Sequence, residues 1–350
     1  MKLTSFHLNG KKNFITLTAI IFTALALTSC RTKETAAAKY FESMNTFMKV
    51  QCYGDNAEAA NEEAQKLIGS LEKLISVTKP ESEIYALNHA ESYPVEVSEK
   101  TAGLLKTALS IAENSDGAFN PCLYPVTSIW GFTKKSYRIP PQSELDKLLK
   151  LCNWRNVKIE GNKVTAQPGM MFDLGGIGKG FAGDEAIKVL KQYGIESALL
   201  DLGGNIQTIG TKPDGTDWTI GIKNPFEEGA IGALKTSAGA VITSGGYERF
   251  FIGDDGKRYI HIFDGSTGRP VDNNVQSATA IGATGTYCDG LSTTLFVLGP
   301  ERAVQFWKKN PDFDFIIITS DKTIWLTKGI EKSFELLVGE DAGFKIKVIE

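Results

Sequence analysis

The chain has 350 residues, of which 42% are hydrophobic and 10% aromatic, so it can bury a large core and is not a disordered protein. Its formal net charge at pH 7 is −3, and it becomes −6 if residues 1–29, which carry three lysines and no acid, are removed. No excess of positive charge then remains to neutralise phosphates, which argues against a nucleic acid as a partner.

The first thirty residues have the pattern of an export signal. Lys11 and Lys12 precede an uncharged run over residues 14–27, which is too short to span a bilayer comfortably, and Thr28-Ser29-Cys30 follows this run. The pattern resembles a bacterial lipoprotein signal, in which the peptide is cut before a cysteine that becomes lipidated. A secretory signal with an incidental cysteine is the alternative.

This resemblance implies a division of the chain. Residues 1–29 would be the signal peptide, Cys30 would carry the lipid, and the polar residues 30–40 would be a tether to a domain formed by residues 41–350. We therefore expect the protein in the cell envelope, anchored to a bacterial membrane and facing the periplasm or the exterior.

Four further cysteines are spaced too widely for a zinc cage or a C-x-x-C redox pair. One or two disulfides are possible in an oxidising compartment, and the sequence does not pair them. The four residues are Cys52, Cys122, Cys152 and Cys288.

Residues 41–150 predict strands and amphipathic helices. We expect a strand over residues 44–53, a helix over residues 57–77, and a second helix that begins after a Ser98 cap and ends in Ser115-Asp116-Gly117. Aromatic residues in the loops that follow, among them Phe119, Trp130 and Phe132, suit either a stacking wall for a planar ring or simple anchoring of the loops.

Residues 170–205 contain two apolar runs that each end with Asp-Leu-Gly-Gly and flank one amphipathic segment. This pattern predicts a central unit of strand, glycine turn, helix, strand and glycine turn, with both turns at one edge of a sheet. A helix that begins near Gly180 would direct its positive end at an anion. The segment is neither a P-loop, since Gly180 follows Lys179 where Ser or Thr is needed, nor a dinucleotide fingerprint. Ordinary tight turns are the alternative interpretation.

The last third of the chain is rich in strands. A third apolar run ends with Ser244-Gly245-Gly246, and a hairpin is predicted around residues 254–256, with Tyr259, His261 and Phe263 on one face of its second strand. A strand over residues 275–282 precedes a helix over residues 286–298 that Gly299 ends, followed by a helix over residues 300–308 and strands at 315–319 and 323–326.

Three oxygen side chains share one face of the helix over residues 286–298. Asp289, Ser292 and Thr293 are spaced i, i+3 and i+4, and oxygen ligands without histidine or cysteine suit Mg²⁺ beside substrate phosphates. The alternative is that Asp289 only caps this helix and that the two hydroxyls bond back to its backbone.

Together these motifs resemble the ApbE family of FAD:protein FMN transferases, in the same order along about residues 44–326. The resemblance implies an α+β fold, a single large domain of two lobes with mixed sheets. The matching segments are residues 82–84 with Asn88, 117–119, 130–132, 173–182, 202–205, 243–249, 261–270 and 289–293.

The resemblance also implies site residues. Mg²⁺ would be held by Asp289, Thr293 and the main-chain carbonyl of Gly176, with Ser292 close to this ligand set. FAD, the substrate, would be contacted by residues from several segments, including the end of the strand at 261–264: Met44, Ala118, Phe119, Asn120, Asp173, Lys179 and Phe263.

In the reaction that the resemblance implies, a threonine or serine hydroxyl of an acceptor protein attacks the FMN-side phosphorus of FAD and AMP leaves. Lys179 would stabilise phosphoryl oxygens, and His261 is the candidate base for the hydroxyl, with a structural histidine as the alternative. Acceptors would be exported redox proteins. An FAD pyrophosphatase and a non-enzymatic flavin-binding lipoprotein are the alternative functions.

The sequence departs from the family pattern at two flavin-related positions. Thr78 stands where relatives usually have an aromatic residue, and Asn120 stands where Asp is usual. Neither change removes a metal ligand, so we expect activity to persist and flavin affinity to be the property most affected.

Overall fold

The structure, a computed structural model, describes residues 36–237 and 239–350. The predicted signal peptide, the predicted lipidation of Cys30 and the first part of the predicted tether lie outside the described residues. Within them, no helix has both the length and the apolar composition needed to cross a membrane.

The described part of the chain contains seven α-helices. They are α1 (Ala57–Ile75), α2 (Glu83–Asn88), α3 (Glu99–Asn114), α4 (Tyr124–Ile129), α5 (Gln142–Leu149), α6 (Gly178–Gln192) and α7 (Gly285–Lys309).

The same part contains nineteen strands. They are β1 (Ala36–Ser43), β2 (Thr46–Tyr53), β3 (Val95–Glu96), β4 (Lys158–Glu160), β5 (Lys163–Thr165), β6 (Ser197–Asp201), β7 (Asn205–Ile209), β8 (Trp218–Lys223), β9 (Ala230–Thr236), β10 (Gly239–Gly245), β11 (Phe250–Ile252), β12 (Arg258–Ile260), β13 (Phe263–Asp264), β14 (Arg269–Pro270), β15 (Val275–Gly282), β16 (Asp314–Thr319), β17 (Thr323–Thr327), β18 (Phe334–Leu336) and β19 (Lys345–Ile349).

Nine strands form the main sheet, in the order β1-β2-β6-β7-β10-β15-β16-β17-β19. All neighbours are antiparallel except β17 and β19, which are parallel, so the sheet is mixed. Two three-stranded sheets, β18-β9-β8 and β3-β5-β4, and the hairpins β11-β12 and β13-β14 complete the strands. The predicted α+β class with a mixed sheet is confirmed.

The two faces of the main sheet bury different apolar clusters, as the alternation of side chains along a strand requires. On one face, Val50 and Leu200 pack with residues of α1 and α6, and Ile242 packs with Leu295 of α7. On the other face, Val241 and neighbouring residues pack against the sheet β18-β9-β8. The helices α6 and α7, which carry the predicted site, therefore lie on the same side of the sheet.

Several local predictions are confirmed. Ser98 caps α3, since its hydroxyl accepts a hydrogen bond from the amide of Thr101. The hairpin around residues 254–256 forms between β11 and β12. Gly299 has φ 73° and interrupts α7, so the two predicted helices follow one another across this residue.

The predicted boundary between tether and domain is too late. Residues 36–40 belong to β1, which pairs with β2 along its whole length. Met44 therefore lies not in a strand but in the two-residue turn of this hairpin, with φ 50°, followed by Asn45 with φ 59°.

The prediction that the central unit begins with a strand is also wrong. Residues 170–174 join no sheet, because other groups satisfy their backbone. The Asn88 side chain accepts from the N–H of Phe172 at 2.6 Å and donates to its carbonyl at 2.8 Å, and Asp173 N–H donates to the carbonyl of Pro121 at 2.8 Å. The second glycine turn instead joins β6 and β7 as an antiparallel hairpin.

The four cysteines within the described residues are all free and buried. Burial raises the pKa of each thiol, that of Cys52 to about 11. The disulfides that we considered possible are therefore not formed.

Candidate functional site

The first Asp-Leu-Gly-Gly turn meets helix α7 at Gly176. A Cβ atom added to Gly176 would lie 3.7 Å from Thr293 Oγ1 and 3.1 Å from the ring of Phe119. The structure thus brings together three of the segments that the sequence motifs marked: the glycine turn, the loop of Phe119 and the oxygen-bearing face of α7.

Asp289 of α7 directs its side chain at the start of α6. Its Oδ2 accepts a hydrogen bond of 2.8 Å from the amide of Gly180, and the side chain is 4% exposed. Burial raises the pKa of this carboxyl, while the positive charge of Lys179 and the amides of Gly180 and Lys179 act in the opposite direction. The anion expected at the beginning of α6 is therefore Asp289 of the same chain.

Close packing of α6 on α7 requires a glycine at this point. A Cβ atom on Gly180 would lie 2.8 Å from Asp289 Cβ and would overlap the carbonyl of Gly285. The absence of a side chain at residue 180 therefore allows the amide of α6 to reach the carboxylate of α7.

The N-terminus of α7 is capped by Asp184 from α6 and not by Asp289. The Asp184 carboxylate accepts hydrogen bonds from the amides of Gly285 and Thr286, at 2.7 and 2.8 Å, and from the hydroxyl of Thr286 at 2.5 Å. The alternative interpretation of Asp289 as the cap of its own helix is therefore wrong. Sequence reasoning missed Asp184, because its partners lie about one hundred residues later in the chain.

A second group of oxygen atoms lies beside Asp289. Ser292 Oγ donates to the carbonyl of Asp289 at 2.9 Å, and Ser244 Oγ of β10 lies 2.8 Å from Ser292 Oγ and 3.3 Å from Thr293 Oγ1. Ser292 is fully buried. Ser244 was not among the predicted site residues, although its Ser-Gly-Gly sequence was noted.

His261 follows β12 and is fixed by the main chain of Arg249. The Arg249 carbonyl lies 3.1 Å from both the backbone nitrogen and Nδ1 of His261. Since a carbonyl only accepts, we assign the proton of the neutral ring to Nδ1, which leaves a lone pair on Nε2. Burial lowers the pKa of His261 to about 4, and the positive charges of Arg249 and Lys179 act in the same direction.

Asp173 lies in the same region as Arg249. Its Oδ1 accepts a hydrogen bond of 2.8 Å from the amide of Gly175, so the carboxylate shapes the glycine turn. Burial raises the pKa of Asp173, and the Gly175 amide and the charge of Arg249 oppose that shift. Arg249 is therefore a cation of the site that sequence reasoning did not single out.

The aromatic residues mostly anchor loops. Trp130 is fully buried, donates from Nε1 to the carbonyl of Gly268 at 2.9 Å, and packs on Phe263 with ring centroids 5.8 Å apart. Phe132 meets Phe263 edge-on, also at 5.8 Å. The anchoring interpretation therefore holds for Trp130, and the FAD contact of Phe263 stays a prediction.

The remaining predicted FAD contacts lie in two places. Asn120 donates to the carbonyl of Cys152 at 2.9 Å and accepts from the amide of Cys122 at 2.9 Å, so its amide holds the loop of Ala118 and Phe119 in place. Met44, in the β1–β2 turn, packs between two apolar clusters.

The donor set around Gly176 consists of oxygen atoms. Within residues 36–237 and 239–350, no group of three or more His, Cys, Asp and Glu residues could hold a metal ion. The candidate metal centre therefore has one carboxylate, Asp289, together with the hydroxyl of Thr293 and the main chain at Gly176, and would need oxygen atoms from a substrate or water.

A cavity of about 690 Å³ lies elsewhere, between α3, α6 and the start of α7. Its lining includes Lys100, Glu185, Lys188 and Gln207, and none of the residues predicted to bind flavin or metal. We therefore place the candidate site at Gly176 and Asp289, because oxygen atoms that could bind a metal lie there, and not in this cavity.

Known proteins resemble the chain over most of its length. The ApbE family model matches residues 44–317. The FAD:protein FMN transferase of Treponema pallidum is 34% identical over 327 residues, which cover 87% of this chain and 89% of that protein. One from Klebsiella pneumoniae is 34% identical over 295 residues, 83% of this chain and 90% of that protein.

Solved structures of the same family also resemble the chain. The ApbE protein of Thermotoga maritima superposes with a TM-score of 0.77 at 32% identity and covers 81% of this chain and 94% of its own. The flavin transferase ApbE of Vibrio cholerae gives a TM-score of 0.75 at 27% identity, with 82% and 94% covered. The chain therefore belongs to the ApbE family, as its motifs predicted.

Proposed function

We propose that the protein is a Mg²⁺-dependent transferase that moves FMN from FAD to a threonine or serine hydroxyl of an acceptor protein. The observation that carries the proposal is that the two ends of one glycine-rich segment reach one face of α7. Gly176 lies next to Thr293 Oγ1, and the amide of Gly180 bonds the carboxylate of Asp289, one helical turn before Thr293. The positive charge of Lys179 also acts on Asp289. The names of the curated relatives, FAD:protein FMN transferase, support the choice of donor and product.

The chemistry of these residues fits Mg²⁺. The site offers a carboxylate, a hydroxyl and a main-chain carbonyl, all oxygen ligands, and Asp289 has no ion-pair partner among the described residues. A cation would offset the cost of burying this charge. When bound, Mg²⁺ would neutralise negative charge on the diphosphate and on the leaving group.

The residues of this chain would do the rest by position and charge. The acceptor hydroxyl oxygen forms a bond to the FMN-side phosphorus, the bond from this phosphorus to the bridging oxygen breaks, and AMP leaves with that oxygen. His261 Nε2 takes the hydroxyl proton, and Lys179 stabilises the phosphoryl oxygens. The product is a phosphoester flavin on the acceptor.

A lipid anchor at Cys30 belongs to the same proposal. Two lysines, an apolar run and Leu27-Thr28-Ser29 before the cysteine support it. The enzyme would then face the periplasm or exterior and modify exported redox proteins. Cells fed a labelled fatty acid should label the wild-type chain and not Cys30→Ser; equal labelling would contradict the anchor.

The function is tested with the full chain, purified in detergent and incubated with FAD, Mg²⁺ and an acceptor that carries a Ser/Thr-Gly-Ala-Thr-like segment. We expect flavin fluorescence on the acceptor in a denaturing gel and release of AMP, and neither with Asp289→Ala. AMP release without a labelled acceptor would replace the transferase by an FAD pyrophosphatase. FAD binding without either product would leave a flavin-binding lipoprotein.

A further inference from the structure

Three side-chain hydroxyls form a row that joins β10 to α7. Ser244 Oγ lies 2.8 Å from Ser292 Oγ and 3.3 Å from Thr293 Oγ1, and Ser292 Oγ lies 2.9 Å from the carbonyl oxygen of Asp289. Each hydroxyl has one proton and two lone pairs. The direction of every bond in the row can therefore be worked out from its end.

The row ends at a carbonyl, which fixes the direction. Because the Asp289 carbonyl cannot donate, the single proton of Ser292 points at it. Ser244 must then be the donor to Ser292. With its proton used in this way, Ser244 can only accept from Thr293.

Thr293 lacks the usual alternative within its own helix. Threonine hydroxyls in helices commonly bond back to the carbonyl four residues earlier, and Thr294 does this with Gly290 at 2.8 Å. The corresponding carbonyl for Thr293 is that of Asp289, whose two lone pairs are used by the Ser292 hydroxyl and by the helical N–H of Thr293. Ser244 is therefore the acceptor for the Thr293 proton.

We propose that Ser244 is a positioning residue for the metal site. Ser244 accepts a hydrogen bond from the Thr293 hydroxyl, and this leaves the lone pairs of Thr293 Oγ1 free on the side of Gly176. This inference rests on the proposed function, because it presupposes a cation between Gly176, Asp289 and Thr293. A metal-ligating hydroxyl needs a free lone pair, and partners outside the ligand set orient the ligands. Ser292 donates to the Asp289 carbonyl and accepts from Ser244, and it thereby fixes the orientation of the Ser244 hydroxyl.

The test measures metal binding without FAD. Mn²⁺ binding to the full chain in detergent is followed by electron paramagnetic resonance, and Mg²⁺ is then added as a competitor. Ser244→Ala should weaken the affinity for both ions about tenfold, as the loss of an outer partner of a metal ligand typically does. Ser244→Thr, which keeps the hydroxyl, should bind nearly as well as the wild type.

Ser292→Ala provides a second, independent variant. Without Ser292 as acceptor, Ser244 can donate to Thr293 and turn the Thr293 proton towards the metal side. We therefore expect weaker Mn²⁺ binding here as well, although Ser244 and Thr293 are both present. Unchanged binding by Ser292→Ala would overturn the assigned direction of the row.

Thr279→Val is the matched control. It removes a hydroxyl pair of the same length, Thr243 Oγ1 to Thr279 Oγ1 at 2.8 Å, which joins the neighbouring residue of β10 to β15 and not to α7, and it should leave Mn²⁺ affinity unchanged. Wild-type affinity in Ser244→Ala, with binding lost in Asp289→Ala, would overturn the role of Ser244 and keep the metal site. Wild-type affinity in Asp289→Ala as well would overturn the metal site itself.

Discussion

Gly180→Ala tests the close approach of α6 to α7 on which the candidate site depends. The added methyl group would lie 2.8 Å from Asp289 Cβ and would overlap the main-chain carbonyl of Gly285, which cannot rotate away as a side chain can. Overpacking of this kind costs about 1–3 kcal/mol, and the better helix propensity of alanine returns at most about 1 kcal/mol. Because the clash is with main-chain atoms, its cost belongs at the upper end of that range, and we expect a net loss of about 2 kcal/mol in the free energy of unfolding.

Urea denaturation of the full chain measures this loss. Gly103→Ala is the matched control, because Gly103 also lies inside a helix, α3, and its added Cβ would meet no atom within 4 Å. The control should gain up to about 1 kcal/mol. If Gly180→Ala is stabilised as Gly103→Ala is, the packing of the two helices is not as tight as described and the reasoning fails.

Three further predictions follow from the described contacts. The pKa of His261 in the FAD-free chain, measured by NMR, should lie near 4 and should rise in Arg249→Gln, because a nearby positive charge disfavours the imidazolium; a value near 6.5 in both proteins would refute this. Asp184→Ala removes the cap of α7 and should cost about 1–2 kcal/mol of unfolding free energy, and an unchanged urea midpoint would refute that role. Four thiols should react with a thiol reagent only after denaturation, and reaction in the native protein would contradict their burial: Cys52, Cys122, Cys152 and Cys288.

Sequence reasoning succeeded where a feature depends on neighbouring residues. The Ser98 cap needs only the amide of Thr101, three residues away, and the break of α7 needs only the freedom of Gly299 to adopt φ 73°. The same applies to the hairpin between β11 and β12, whose turn residues lie between the two strands.

It failed where distant residues decide the structure. Residues 170–174 have the apolar pattern of a buried strand, yet Asn88 and Pro121 take up the hydrogen bonds that a neighbouring strand would have used. No pattern within 170–205 could reveal partners that lie 84 residues before Phe172 and 52 residues before Asp173. The start of β1 at Ala36 was missed for a different reason, since its polar and alanine-rich sequence has a weak preference for strand and becomes one by pairing with the neighbouring β2.

The site was predictable in part. Spacing placed Asp289, Ser292 and Thr293 on one face of a helix, but it could not decide between a helix cap and a metal ligand. Asp184 excludes the cap, because it already occupies the start of α7 and leaves Asp289 facing α6; the metal ligand stays a prediction. Ser244 has no signature of its own beyond a glycine-rich strand end, and the role that we propose for it rests on its distances to α7.

The most direct test of the central claim is labelling of the acceptor by Asp289→Asn. This change keeps the size of the side chain and an oxygen that can accept from Gly180, and it replaces the second oxygen by an NH₂ group, which removes the negative charge and one metal-ligating atom. We predict that the variant folds with a urea midpoint close to that of the wild type, and that it loses Mg²⁺-dependent transfer of flavin to the acceptor. Full labelling by Asp289→Asn, with the same dependence on Mg²⁺ as the wild type, would contradict a metal-assisted transfer at Asp289.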